Sequence, residues 1–483
     1  MIARSQTFIA GRPGDVARLA AGNMEITLLS FGAMARDWRI GDAANRGGLM
    51  RGLLALALMT TTAMAADLPE PITDADYMAT TPEAVALGQL LFYDPILSGS
   101  KTVACSTCHH PRFGTSDGLS LGLGDGGSGL GPKRVALPEN LPEQRIGRNA
   151  PALFNLGAKA FTRMFHAGRL EADPTKPGGI RTPLGQEMVA GFSGVLSAQA
   201  MFPVLSSDEM AGHYSENEIA QAVRLGMLTG EGGAWDLIAR RVEAVPGYRD
   251  MFDAVIGARA IDFTDISNAI AEFIAWEWRS FDSPFDKHLA EIEPLSGPAL
   301  HGMELFYGKA GCADCHAGKF QSDQAFHAIA MPQIGPGKVE RFETNSRDIG
   351  RLRVTGNADD IYRFRTPTLR NVALTGPYGH DGAYATLEAV VRHHLDPVQS
   401  LIHYDIAQAV LPALDGAAQR DTAVMSDANE IAAIAEANEL APMALSDAEV
   451  SAILAFLDSL TDPVAIAGRL GIPDEVPSGL AVE

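Results

Sequence analysis

The segment Cys105-Ser-Thr-Cys108-His109 recurs later in the chain as Cys312-Ala-Asp-Cys315-His316. These two segments contain all four cysteines of the 483 residues. Two cysteines three positions apart, followed at once by histidine, form the attachment pattern of a c-type haem. The thiols reach the two vinyl groups of one porphyrin, and the histidine supplies the proximal iron ligand. The sequence therefore predicts two covalently bound haem c groups.

Other uses of paired cysteines account less well for this pattern. A zinc ribbon pairs its knuckles ~15–20 residues apart, much closer than these two segments. A thioredoxin-like redox pair lies in a βαβ context and needs no second copy. Structural disulfides occur in exported proteins. None of these uses explains a histidine after both pairs.

The flanks of the two segments are also repeated. Gly88-x-x-Leu91-Phe92-Tyr93 precedes the first, and Gly302-x-x-Leu305-Phe306-Tyr307 precedes the second. Phe113 and Phe320 each follow the proximal histidine by four positions. The repetition indicates two similar cytochrome-c-like modules.

Apolar periodicity predicts a mainly α fold with few strands. Thr264 is predicted to cap a helix that runs to about Ser280, and Ser446 with Glu449 forms a capping box for another. We expect two cytochrome-c-like haem domains with long loops, since the porphyrins fill much of each core. The predicted limits are 66–285 for the N-terminal domain, 286–465 for the C-terminal domain, 466–483 for a tail, and 403–445 for a helical or partly mobile elaboration.

The net charge and the N-terminal region limit the possible partners and the cellular location of the protein. The formal charge of −21 argues against a nucleic-acid partner, which calls for a basic face. Residues 50–65 resemble a signal peptide that ends in Ala63-Met64-Ala65, and their apolar stretch is shorter than the ~18 residues of a membrane span. We predict export to the periplasm, no membrane span after cleavage, and a misassigned upstream extension at residues 1–49.

Over roughly residues 80–460 the sequence resembles the bacterial di-haem cytochrome c peroxidases and the related MauG oxidases. Any one of the shared motifs alone would be weak, but their number and order, with two haem sites, make the resemblance specific. The motifs are Leu97-Ser-Gly-Ser100, Arg148-Asn-Ala-Pro-Ala-Leu-Phe-Asn155, Gln199-Ala-Met-Phe-Pro203, Asp208-Glu-Met210, Phe364-Arg-Thr-Pro-Thr-Leu-Arg-Asn-Val372 and Thr375-Gly-Pro-Tyr-Gly-His-Asp-Gly382.

The resemblance implies a calcium ion between the two domains. The matching ligands are Asn149, Thr375 and Pro377, the last two through backbone carbonyls. Oxygen ligands suit a hard cation such as calcium. The alternative is that these three residues only serve loop geometry.

The resemblance makes the first haem the peroxidatic one. Many family peroxidases close its iron with a histidine sixteen residues after the proximal one, but that count from His109 reaches Asp125. We therefore expect an open iron position, with the neighbouring His110 a surface residue.

The resemblance also supplies a pocket for that open position. Glu209 matches the catalytic glutamate, which would move the proton during O–O cleavage. Gln199 matches a residue that orients ligands or water. Pro203 and Met210 match residues that line the same pocket.

His166 occupies the position where the family commonly has a tryptophan between the haems, before Gly168-Arg169. Three roles stay open for it: in the distal pocket, as a hydrogen-bond donor to a haem propionate, or in ordinary packing.

The sixth ligand of the second haem is predicted to be a histidine. In the family this ligand lies fourteen residues after the histidine that matches His380, and is methionine or tyrosine; here it is His394. His393 is the rival, but on a helix it points about 100° away. Ligation by His316 and His394 would give a lower potential than methionine ligation.

Three functions are compatible with the sequence. The first is a periplasmic peroxidase that reduces hydrogen peroxide to water with electrons from a small cytochrome or cupredoxin. The second is a MauG-like oxidase that uses peroxide-derived high-valent iron on a partner protein or organic substrate. The third is a non-catalytic di-haem electron carrier. The resemblance also suggests a homodimer.

Overall fold

The computed structural model describes residues 68–213, 216–338 and 343–483. The predicted upstream extension and signal peptide lie outside these residues. The described residues belong to one unit of the chain. None of the described helices is both long and apolar enough to cross a bilayer.

The described chain is mainly α-helical, as predicted. Many single 3₁₀ turns and long loops join the helices. The α-helices are α1 Pro82–Tyr93, α2 Cys105–Cys108, α3 Val195–Ala200, α4 Glu218–Arg224, α5 Ala234–Glu243, α6 Pro246–Ile256, α7 Phe263–Glu277, α8 Pro284–Leu289, α9 Gly297–Phe306, α10 Leu352–Thr355, α11 Leu387–Leu395, α12 Pro397–Ile402, α13 Ala418–Asp421, α14 Ala428–Glu436, α15 Asp447–Asp458 and α16 Pro463–Ala467.

Three small antiparallel sheets lie among the described loops. In the first, Gly127 pairs with Ala136; in the last, Phe326 pairs with Arg365. The strands are β1 Gly127–Ser128, β2 Val135–Ala136, β3 Arg163–Met164, β4 Leu170–Ala172, β5 Ile180–Arg181, β6 Phe326–His327 and β7 Phe364–Arg365, joined as β1-β2, β3-β4-β5 and β6-β7.

One of the two helix predictions needs correction. Ser446 caps α15 as expected: its hydroxyl accepts the N–H of Glu449, whose carboxylate accepts the N–H of Ser446 at 2.8 Å. By contrast, α7 is capped by Asp262, whose N–H donates to Asp265, and Thr264 already lies inside the first turn. The helix ends at Glu277 because the N–H of Ser280 donates to the Asn155 side chain instead.

The repeated glycine in the two flanks marks a repeated helix crossing. Gly88 on α1 faces the backbone of Ala269 on α7, and Gly302 on α9 faces that of Ala452 on α15. At either glycine a Cβ would overlap the facing carbonyl oxygen. Glycine thus permits the close packing of one helix pair in each half of the chain.

We expect Gly88→Ala and Gly302→Ala each to lower the free energy of unfolding by ~1–3 kcal/mol, the usual cost of overpacking. The sign is informative, because alanine in an open helix position stabilises by up to ~1 kcal/mol. Chemical denaturation measures the effect. Two variants as stable as the unmodified protein would contradict the crossing.

Two main cores flank the sites described below. The first gathers buried side chains from residues 72–278, and Val476 of the tail packs into it. The second gathers side chains between Phe285 and Leu460. A buried ion pair at 3.0 Å joins Asp421 of the 403–445 segment to Arg145 in the N-terminal half of the chain. The domain limits given above stay a prediction.

Candidate haem sites

A large cavity lies beside the first cysteine pair. Its empty volume is about 1580 Å³, counting the part open to solvent. Both cysteines and His109 border it, so it is the space that a haem attached to this pair would occupy. Nine predicted site residues line it: Cys105, Cys108, His109, His166, Gln199, Pro203, Glu209, Met210 and the expected calcium ligand Asn149.

The proximal residues are oriented for an iron porphyrin. The Nδ1 of His109 lies 3.1 Å from the carbonyl oxygen of Thr115, to which it donates. Such a bond fixes the tautomer and leaves Nε2 as the free ligand atom. Cys105 and Cys108 are not in disulfides. Both thiols therefore remain available for thioether bonds.

Glu209 lies in a π-helical turn, Ser207–Ala211. Gly124 packs against this turn: a Cβ there would lie 2.5 Å from the Glu209 carbonyl oxygen. The backbone is further tied by the N–H of Asp125, which donates to Glu209 at 3.0 Å. On α3, the buried Oε1 of Gln199 has no hydrogen-bond partner among the described residues. A carboxylate and an unpaired amide oxygen thus border the cavity.

Asp125 does not line this cavity. Its carboxylate instead accepts the hydroxyl of Ser100 at 3.0 Å. Of the described histidines, only His109 and His166 line the cavity, so this geometry offers the iron no second imidazole from the 125 region. The prediction that His110 is a surface residue is wrong: it is 1% exposed, and its Nδ1 accepts the N–H of Arg112 within a tight turn.

His166 is fixed by the backbone. Its Nε2 donates to the carbonyl oxygen of Asn149 at 3.0 Å, and its own carbonyl accepts the N–H of Arg365 at 2.7 Å. Burial, with the charge of Arg148 adding to it, lowers the pKa of His166 to about 4. His166 is therefore a neutral ring on the cavity wall, with Nδ1 as its remaining polar atom.

The second pair of histidines has the geometry of a shared iron. The ring centroids of His316 and His394 lie 6.4 Å apart. An imidazole nitrogen binds a metal at about 2 Å, so two rings on opposite sides of one iron have centroids roughly 6 Å apart. Each ring donates Nδ1–H to a carbonyl, His316 to Gln321 at 3.1 Å and His394 to Val390 at 2.7 Å. Both Nε2 atoms are thereby left free to bind a metal.

His393 uses both ring nitrogens elsewhere. Its Nε2 donates to the carbonyl oxygen of Ile329 at 2.8 Å, and its Nδ1 accepts the hydroxyl of Tyr384 at 3.0 Å. The ring is fully buried. This arrangement favours His394 over His393 as the sixth ligand.

Known proteins are similar to this chain in sequence and fold. A model of the family "Di-haem cytochrome c peroxidase" matches residues 82–293. The methylamine utilization protein MauG of Methylorubrum extorquens is 32% identical over 333 residues, covering 68% of this chain and 72% of that protein. The chain belongs to the di-haem cytochrome c peroxidase family. Membership makes it a haem-carrying oxidoreductase of the peroxidase or MauG type.

Two further relatives agree with the assignment to this family. Cytochrome c551 peroxidase of Nitrosomonas europaea is 30% identical over 342 residues, covering 70% of this chain and 80% of that protein. The diheme peroxidase BthA of Burkholderia thailandensis has the same fold, with a TM-score of 0.54 over 84% of this chain and 94% of that one, at 20% identity.

The segments with the calcium ligands expected for this peroxidase family are neighbours. The N–H of Asn149 donates to the carbonyl oxygen of His380 at 2.9 Å, which brings Asn149 beside the segment with Thr375 and Pro377. The Asn149 side-chain amide donates to Leu119 at 2.7 Å. These contacts bring the segments of the expected ligands together, and the calcium ion stays a prediction.

Sequence patterns missed a group of cations that line the cavity beside the first cysteine pair. Arg169, Lys338 and Arg365 all line it. Arg169 belongs to the Gly168-Arg169 pair noted in the sequence, so its place near the haem site could have been predicted. Arg365 lies within the quoted motif that runs from Phe364 to Val372, whereas Lys338 lies where no local motif marks it.

Proposed function

We propose that the protein is a periplasmic di-haem c-type peroxidase that reduces hydrogen peroxide to water. The observation that carries the proposal is the cavity in which the free Nε2 of His109 shares a space with Glu209 and Gln199. Cys105 with Cys108, and Cys312 with Cys315, would hold the two haems covalently. The first haem, when bound, supplies the open iron and the redox chemistry.

The chain's own residues move the protons. Glu209 would accept a proton from the peroxide oxygen nearer the iron and return it to the departing oxygen, which leaves as water. Gln199 would hold the peroxide or a water through its unpaired amide oxygen. Two electrons and two further protons complete the reduction of one peroxide to two waters.

The second site would receive the electrons. Ligation by two imidazoles, from His316 and His394, gives a lower potential than methionine ligation, so this haem would pass electrons on to the first. The donor would be a small cytochrome or cupredoxin, and the acidic chain suits a basic donor surface. We further propose cleavage after Ala65, a calcium ion at Asn149, Thr375 and Pro377, the domain limits given above, and a homodimer.

A MauG-like oxidase is the second candidate. It is favoured by the predicted absence of a closing histidine at position 125 and by a second haem without methionine. In that case the oxidising equivalents would leave through a partner protein or organic substrate instead of being reduced by a donor protein. A plain electron carrier is disfavoured, because it needs no carboxylate beside an open iron.

Steady-state turnover separates the two enzymatic candidates. With purified di-haem protein, hydrogen peroxide and reduced cytochrome c or cupredoxin, we expect oxidation of two donor equivalents per peroxide over many turnovers. The control is His109→Gly, which removes the proximal ligand. Peroxide consumption without donor oxidation would contradict the peroxidase and support the MauG-like candidate.

A further inference from the structure

Three partly buried cations line the first cavity, together with Asp117 and with Glu209 of the turn Ser207–Ala211. Arg169, Lys338 and Arg365 line it, and burial lowers the pKa of each; the pKa values of Arg169 and Arg365 fall to about 10. Arg148 also lines it but is matched, since it donates two hydrogen bonds to Asp348 at 2.7 and 2.8 Å. Glu209 is the carboxylate whose charge acts on both Arg169 and Lys338.

Lys338 is the least compensated of the three. Its partly buried ammonium has no ion pair or hydrogen bond with the residues the structure describes, and the Nε of Arg169 is buried without a partner there. Arg365, by contrast, reaches carbonyl oxygens and the amide oxygen of Gln324 at 3.3 Å. Burying an unpaired ammonium is costly, so such a group is normally matched by an anion.

The backbone delivers Lys338 to this cavity from the other half of the chain. The carbonyl of Gly337 fits against Gly147, where any Cβ would overlap it. The segment before Lys338 is tied at two points: Asp381 accepts the N–H of Ile334 at 2.8 Å, and the carbonyl of Asp421 accepts that of Gly335 at 3.2 Å. Lys338 is thus placed by contacts, not left on a free loop.

We propose that Lys338 binds a propionate of the first haem, with Arg169 as its partner on the same face. A propionate carboxylate is the anion that a bound haem would supply to these two side chains. The segment 403–445 then has a role, because Asp421 holds both Gly335 and Arg145. The proposal rests on haem in this cavity and not on the choice between peroxidase and oxidase.

Lys338→Gln tests the proposal on the holoprotein. A positive charge near the iron favours the ferrous state, so its removal should lower the reduction potential of the first haem, measured by spectroelectrochemistry without peroxide. We expect a shift of about tenfold in the ferrous-to-ferric ratio at fixed potential, which is 59 mV for one electron. The thioether bonds keep the haem attached, so the variant stays measurable.

Lys338→Arg keeps the charge and should keep the potential, while Lys176→Gln removes an exposed lysine as the matched control. An unchanged potential in Lys338→Gln would overturn the proposal. A slower peroxide reaction with an unchanged potential would also overturn it, and would assign Lys338 to the peroxide side instead. If Lys176→Gln lowered the reduction potential equally, the effect would come from net charge alone, and the proposal would be overturned.

Discussion

Glu209→Gln is expected to slow the reaction of the first haem with hydrogen peroxide by ~10²–10⁴-fold, the usual contribution of a positioned acid–base group. Glutamine has the same shape and can still hydrogen-bond, but it cannot take a proton from peroxide and return it. The turn Ser207–Ala211 and its contact with Gly124 need no carboxylate, so the backbone position should persist. Stopped-flow absorbance of the Soret band measures the rate.

Asp208→Asn is the matched control for this prediction. Asp208 is the neighbouring acid of the same turn, but it accepts a hydrogen bond from Gln144 at 2.8 Å and does not line the cavity. We expect a rate close to that of the unmodified protein. Wild-type speed in Glu209→Gln, or an equal loss in Asp208→Asn, would remove Glu209 from the catalytic role.

His394→Ala is expected to convert the second haem from low spin to high spin, because only His316 would remain as a ligand. The rings of these two histidines lie at the separation of a shared iron, so no other described imidazole is needed. Absorption and electron paramagnetic resonance spectra of the ferric protein measure the change. His394→Met should restore low spin and raise the potential of this haem.

His393→Gln is the control for the ligand. Both ring nitrogens of His393 are already hydrogen-bonded, to Tyr384 and to Ile329. Its loss should therefore lower the stability of the protein and leave the low-spin spectrum in place. If His393→Gln abolishes the low-spin signal and His394→Ala keeps it, the ligand assignment is wrong.

Local sequence motifs were enough to predict the fold class and the two haem-attachment segments. Cys105–His109 and Cys312–His316 encode their chemistry in five consecutive residues, and the repeated glycines in α1 and α9 match a repeated crossing. The haem segments depend only on neighbours in the chain, so a sequence pattern can reveal them, whereas the crossings join α1 to α7 and α9 to α15 across the sequence.

Features that depend on distant contacts were beyond the sequence. His110 is buried by a tight turn around Phe113, although it looked like an exposed neighbour of a ligand. The choice between His393 and His394 needed the positions of Tyr384 and Ile329. Lys338 reaches the first cavity only because Gly337 packs on Gly147, a contact between halves of the chain that no motif records.

The most direct test is an electron paramagnetic resonance spectrum of the purified, resting ferric protein, before and after one equivalent of hydrogen peroxide. We expect one high-spin signal from the His109 haem and one low-spin signal from a haem with two imidazole ligands, and peroxide should remove the high-spin signal. Two low-spin signals that do not respond to peroxide, or a protein without haem, would contradict an open iron beside Glu209.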